Sequence, residues 1–134
     1  MNKSSQRTPS PAIILIENDY VTLELYQREL CKSFTVFSFT ELKGVLEVLA
    51  NQDIRAVIIE PEIDAQKGWY LIHTIHEVFP DRFIPVIVCS TRDNCNTGPA
   101  LEITKYLTKP VLPRALRETV LEIIQEKDIS LKKS

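Results

Sequence analysis

Short apolar runs punctuate this chain, and between them apolar residues recur at helical spacing. Residues 12–16, Ala-Ile-Ile-Leu-Ile, are apolar throughout, as in a strand covered on both faces. Residues 34–39, Phe-Thr-Val-Phe-Ser-Phe, alternate, and residues 55–60, 85–90 and 103–108 supply three more predicted strands. Asp19 is placed to cap a helix beginning at Tyr20, along which Val21, Leu25 and Leu30 repeat. Thr40 is predicted to cap a second helix, to about Leu49, with Leu42, Val45, Leu46 and Leu49 on one face. Gly68 starts a third, with Leu71, Ile72, Ile75 and Phe79 inward and Pro80 as its stop. The last predicted helix runs from about Leu112 to Gln125, with Leu116, Val120, Ile123 and Ile124 on its apolar side and Pro113 in its first turn.

Apolar strands alternating with amphipathic helices imply an α/β protein: a doubly wound, five-stranded parallel sheet covered on both faces. In such sheets the functional crevice lies beyond the C-terminal ends of the strands. The residues collected there are Glu17, Asn18 and Asp19 after the first strand and Glu60 after the third. Ser90 and Thr91 follow the fourth, and Lys109 and Pro110 the fifth.

Composition narrows the function classes. At 134 residues, 44% apolar and 25% charged, the chain has the make-up of one globular domain. A net charge of −2 gives no general attraction to nucleic acid or to anionic membranes, and no apolar run approaches the ~20 residues that span a bilayer. The polar N-terminus lacks the apolar core of a secretory signal, so residues 1–11 are expected to be a disordered leader. Residues 12–126 then form the domain and 127–134 a flexible tail. Cys31, Cys89 and Cys95 are odd in number and fit no zinc spacing, which points to a reducing, cytoplasmic setting. Three glycines in all leave no material for a P-loop or dinucleotide fingerprint, which argues against a nucleotide or flavin binder. Ser90 lies outside any G-x-S-x-G, and His73 and His76 have no third ligand at sensible spacing.

The residues at the four strand ends together resemble the receiver domain of two-component response regulators (CheY-like, of the flavodoxin-like topology), over about residues 12–126. The resemblance implies an acidic pair after the first strand, here Glu17 and Asn18, and a phosphoacceptor position at Glu60. It also implies a phosphate-binding hydroxyl at Ser90, an aromatic switch residue at Tyr106, and Lys109 followed by a cis-linked Pro110. Gly68 falls where the family places the glycine of its third helix. Family chemistry would place Mg²⁺ between the acidic pair, the acceptor and a backbone carbonyl, which makes Glu17, Glu60 and Glu62 the metal candidates.

The pocket departs from that pattern. Glu60 replaces the acceptor Asp, and its extra methylene moves the carboxylate by about 1 Å, a displacement that can cost about 10²-fold in rate. Asn18 removes a charge from the metal pair, so Mg²⁺ is expected to bind weakly at most and no cofactor is required. Asn94, Asn96, Thr97, Gly98 and Pro99 interrupt the stretch where the fourth helix belongs, which is expected to be shortened or irregular.

These residues predict an atypical, non-enzymatic pseudo-receiver that works by protein–protein contact around the fourth strand, the fifth strand and the last helix. Its expected partners are a histidine kinase, another receiver, an output protein or a second copy of itself. Glu60 either imitates the phosphorylated state in part, or simply pairs with Lys109 in an inert pocket. The competing readings are a working phosphoacceptor, through Glu60 or Asp64, and a receiver cut from a longer regulator.

Overall fold

The computed structural model describes residues 10–91 and 103–133, with side chains to residue 129. The elements are β1 (Ala12–Ile16), α1 (Tyr20–Leu30), β2 (Thr35–Phe39), α2 (Val45–Asn51) and β3 (Ile54–Ile59). They continue with α3 (Ile63–Val78), β4 (Val86–Ser90), β5 (Lys105–Thr108) and α4 (Pro113–Lys133). The strands form one parallel sheet in the order β2-β1-β3-β4-β5.

Each central strand is apolar on both faces because each face meets a helix layer. Ile14 and Ile16 of β1, Val57 and Ile59 of β3, and Val86 and Val88 of β4 share a core with Val45 and Leu49 of α2 and Leu71, Ile72 and Ile75 of α3. The alternate residues Ile13, Leu15, Ala56, Ile58, Ile87 and Cys89 pack against Leu23, Tyr26 and Leu30 of α1 and Leu116, Val120 and Ile124 of α4. Burying one such aliphatic side chain contributes roughly 1.5–3 kcal/mol, so these two layers fix the strand register.

Several element boundaries differ from the sequence expectation. In α1 the inward face is Leu23, Tyr26 and Leu30, while Val21 and Leu25 are exposed. Helix α2 begins at Val45 rather than Thr40, because Gly44 adopts a left-handed conformation (φ 91°) that stops the helix from extending backwards. Leu42 nevertheless packs on the same core cluster. Helix α3 opens at Ile63, but Asp64, Ala65 and Gln66 have positive φ, and a regular helix continues only beyond them, close to Gly68.

Helix α4 continues to Lys133, through residues expected as a flexible tail. Asp128 accepts a hydrogen bond from the Arg55 guanidinium on β3, which ties that last stretch to the sheet. At the other end, Pro11 of the expected leader accepts a hydrogen bond from Thr35 N–H at 2.9 Å, beside the start of β1. The expected irregular fourth helix, with Cys95, and most of the leader lie outside the described residues.

Candidate functional site

The chain leaves β1 toward β2 on one side of the sheet, while β3 lies on the other side of β1. Open α/β sheets place their crevices at this kind of switch point. The ladder reaches one residue beyond each strand there: Glu17 N–H donates to Phe39 O and Glu60 N–H to Ile16 O, both at 3.0 Å. Both glutamates are therefore held at the crevice floor, with side chains only 3% (Glu17) and 6% (Glu60) exposed.

Lys109 reaches the same point from the end of β5. Its N–H donates to Ser90 O at 2.7 Å, and its peptide bond to Pro110 is cis. The ammonium Nζ donates to Glu17 Oε1 at 2.6 Å and to Glu60 Oε1 at 3.0 Å. The second oxygen of each carboxylate takes a backbone donor: Asp19 N–H to Glu17 Oε2 and Glu62 N–H to Glu60 Oε2, both at 3.0 Å. Every carboxylate oxygen of the pair thus has a donor. Burial pulls the Lys109 pKa down, but the hydrogen bonds and charges of Glu17 and Glu60 outweigh it, so the pKa lies above the ordinary lysine value.

The turn that carries Glu60 is packed against Gly68. A Cβ on Gly68 would lie 2.7 Å from both Cα and O of Pro61, so only glycine lets α3 approach this closely. The close approach holds the Glu60-Pro61-Glu62 turn, and with it the Glu62 N–H that Glu60 accepts.

The remaining sequence candidates divide. Ser90 is fully buried at the end of β4, and Tyr106 of β5 packs, partly buried, against the α2/α3-side core. Asn18, expected as the second member of the metal pair, is exposed at the rim instead. Asp19 caps α1 as expected: Thr22 N–H donates to Asp19 Oδ2 at 3.1 Å. The Thr22 hydroxyl and N–H hold the Asp19 carboxyl below its ordinary pKa. Trp69 packs against the core while Tyr70 stays exposed, so of the two only Tyr70 is an outward aromatic. The Trp69 indole N–H is buried without an acceptor among the described residues.

Sequence pattern alone did not single out Tyr26. It is buried below the crevice with its hydroxyl 3.7 Å from Cys89 Sγ, and burial pushes its pKa well above the ordinary tyrosine value. The signal that could have found it is the Leu23–Tyr26–Leu30 spacing, an inward face with one polar tip. Beside the ion cluster, Thr22, Leu25, Tyr26, Thr91, Lys109 and Pro110 line an open groove of about 380 Å³. The neighbouring Tyr20, Val21 and Leu112 are exposed.

Mg²⁺ takes near-octahedral oxygen ligands and relies on several carboxylates. The donor set here does not fit it. Glu17 and Glu60 already engage Lys109 and two backbone N–H groups, Asn18 is exposed, and no group of three or more metal-ligating side chains occurs among the described residues. What remains is two buried carboxylates sharing one ammonium.

No protein-family model matches the chain, and no curated protein sequence does. Solved structures do. A CheY-like response regulator receiver domain from Methanospirillum hungatei JF-1 is 19% identical, with TM-score 0.75 over 90% of this chain and 98% of that one. The signal receiver domain of an HD domain-containing protein from Pseudomonas fluorescens Pf-5 is 24% identical, with TM-score 0.73 and coverages of 90% and 98%. The response regulator TrrA from Thermotoga maritima, solved in complex with Mg²⁺-BeF, is 16% identical, with TM-score 0.72 and coverages of 84% and 98%. At these identities the likeness is one of architecture: the chain has the CheY-like receiver fold, with its ion cluster at the crevice of that sheet.

Proposed function

We propose that this chain is an atypical receiver module of two-component signalling, with Glu60 at the position of the family's phosphoacceptor Asp, that acts by protein–protein contact in the cytoplasm. The observation that carries the reading is the Lys109 ammonium held between Glu17 and Glu60, at 2.6 and 3.0 Å. A receiver that works by phosphoryl transfer needs a carboxylate free to attack phosphorus and a cation free to neutralise the transferred oxygens. Here Glu60 and Lys109 hold each other. Ser90 at the end of β4 and Tyr106 on β5 stand at the family's hydroxyl and aromatic switch positions. No catalytic role is assigned to any of them, and Mg²⁺ is not required.

Partner contact is supported by the exposed apolar residues Tyr20, Val21, Leu25 and Leu112 around the groove next to Lys109. Exposed apolar clusters of this kind are where partners dock. A histidine kinase, another receiver, an output protein or a second copy of the chain are the partners this fold suggests. The proposal is tested by incubating the protein with acetyl phosphate and Mg²⁺ and measuring its intact mass. The expected result is an unchanged mass. A gain of one phosphoryl group on Glu60 or Asp64 overturns the reading in favour of a working phosphoacceptor.

A further inference from the structure

A second cavity lies at the opposite end of the sheet from Lys109, where β4 and β5 begin. It holds about 560 Å³ between the α3–β4 connection, the start of β5 and the late turns of α4. That volume falls in the range of roughly 300–1,000 Å³ typical of small-molecule sites. Phe79, Phe83, Ile84 and Ile123 form the apolar part of its wall. Phe83 is 83% exposed, so its ring offers apolar surface to the open side of the cavity.

The polar groups facing this cavity are mostly donors. Lys127, partly buried, forms no ion pair among the described residues. Of the two acids that flank it in sequence, Asp128 is engaged by Arg55 and Glu126 is exposed. Arg82 stacks over Phe79 at 5.1 Å and gives its Nη1 and Nη2 to the carbonyls of Leu49 (2.5 Å) and Gln52 (3.2 Å), and no ion pair to a carboxylate is formed by it among the described residues. Thr104 Oγ1 accepts from Val86 N–H at 3.1 Å, which leaves its hydroxyl proton to donate. Among the described residues of the lining the one acid is Glu126, which is exposed, and His76 is partly buried. Burial, and then the positive charge of Arg55, pull the Lys127 pKa below its ordinary value, and the negative charges of Asp53 and Asp128 offset this only in part.

We propose that this cavity binds a small organic carboxylate with an aromatic or aliphatic body. The body lies against Phe79, Phe83 and Ile84, and the carboxylate faces Lys127, with Arg82 as the second cation. Such a ligand covers the exposed aromatic and supplies the negative charge that Lys127 lacks. The site is at the far end of the sheet from the Glu17–Lys109–Glu60 cluster, so it stands or falls independently of the receiver reading.

The test uses the full chain, 1-naphthoate and its neutral analogue 1-naphthalenemethanol, followed by amide NMR and calorimetry. Naphthoate is expected to shift the amides of Phe83, Ile84, Thr104 and Lys127 and to leave those of Glu62 and Lys109 unmoved. It is expected to bind about tenfold more tightly than the alcohol, the effect of one charge-assisted contact. Lys127→Met is expected to remove that tenfold advantage while leaving alcohol binding intact. Phe83→Ala, at an exposed position that folding tolerates, is expected to weaken both ligands. Absent or scattered shifts, equal affinity for the two ligands, or unchanged naphthoate binding by Lys127→Met would each overturn the proposal.

Discussion

Lys109 Nζ lies 3.0 Å from Glu60 Oε1, an ion pair that joins the C-terminal ends of β5 and β3 across the intervening β4. The same ammonium takes Glu17 at the end of β1, so one cation gathers three strand ends. Removing charges from water is costly, and a buried cluster persists only when its geometry and remaining hydrogen bonds are satisfied. Here each carboxylate has a second oxygen on a backbone N–H, which meets that condition.

Lys109→Met leaves two buried carboxylates facing each other without a cation. The expected loss at neutral pH is about 3 kcal/mol of unfolding free energy, the usual scale for stripping one partner from a buried ionic group. Adding Glu60→Gln to that variant is expected to recover most of the loss, and urea unfolding of the wild type, both singles and the double variant gives the coupling directly. A loss below ~1 kcal/mol for Lys109→Met, on the scale of an exposed pair, contradicts the cluster.

Stability is expected to fall on the alkaline side. Lys109, Tyr26 and Cys89 all have folded pKa values above their ordinary ones. Between the unfolded and folded values the native state holds more protons than the unfolded state, so the slope of stability against pH is negative. The stabilisation is full below the unfolded values, about 8.5 for Cys, 10 for Tyr and 10.4 for Lys, and is lost as pH rises through the folded ones. Lys127, lowered, acts in the opposite sense and improves stability as pH rises toward about 10.4. With three groups against one, the urea midpoint is expected to drop between pH 8 and 11, and less steeply in Tyr26→Phe. A flat profile, or an identical slope in that variant, contradicts the assignment.

Much of this arrangement is legible in the sequence, for a physical reason. Strands β1, β3 and β4 are buried on both faces, so their residues form continuous apolar runs with polar residues at their ends. Parallel topology then brings Glu17, Glu60, Ser90 and Lys109 to one edge. What the pattern misplaces is decided by tertiary contact or by backbone conformation. The inward face of α1 includes Tyr26, which bonds Cys89, while the more hydrophobic Val21 and Leu25 face outward beside the groove. The start of α2 depends on the left-handed Gly44. The pairing of Glu60 with Lys109 was open to sequence reasoning. The capture of Glu17 by the same ammonium, and the outward turn of Asn18, required the fold.

Gly68→Ala tests the packing that holds the Glu60 turn. The new Cβ meets Pro61 backbone at 2.7 Å, where nothing flexible can give way. The expected destabilisation is about 1–3 kcal/mol, the range for overpacking a tight site. Thermal or urea unfolding measures it, and the Glu62 amide resonance should move as its bond to Glu60 is disturbed. A variant as stable as the wild type, with an unmoved Glu62 amide, rules this packing out.

Deleting residues 127–134 tests the extended α4. Because Asp128 bonds Arg55 and the helix continues over these residues, the deletion is expected to lower stability by roughly 1 kcal/mol. A free tail would leave the urea midpoint unchanged.

On the proposed reading, the cluster of Glu17, Lys109 and Glu60 is closed to a phosphoryl group. Amide NMR of the full chain, titrated with Mg²⁺ and beryllofluoride, tests it most directly, because TrrA of the same fold was solved with that pair of ions. The resonances of Glu62, Ser90, Tyr106 and Lys109 are expected to stay in place throughout the titration. Saturable shifts at these residues, dependent on both Mg²⁺ and beryllofluoride together, would contradict it.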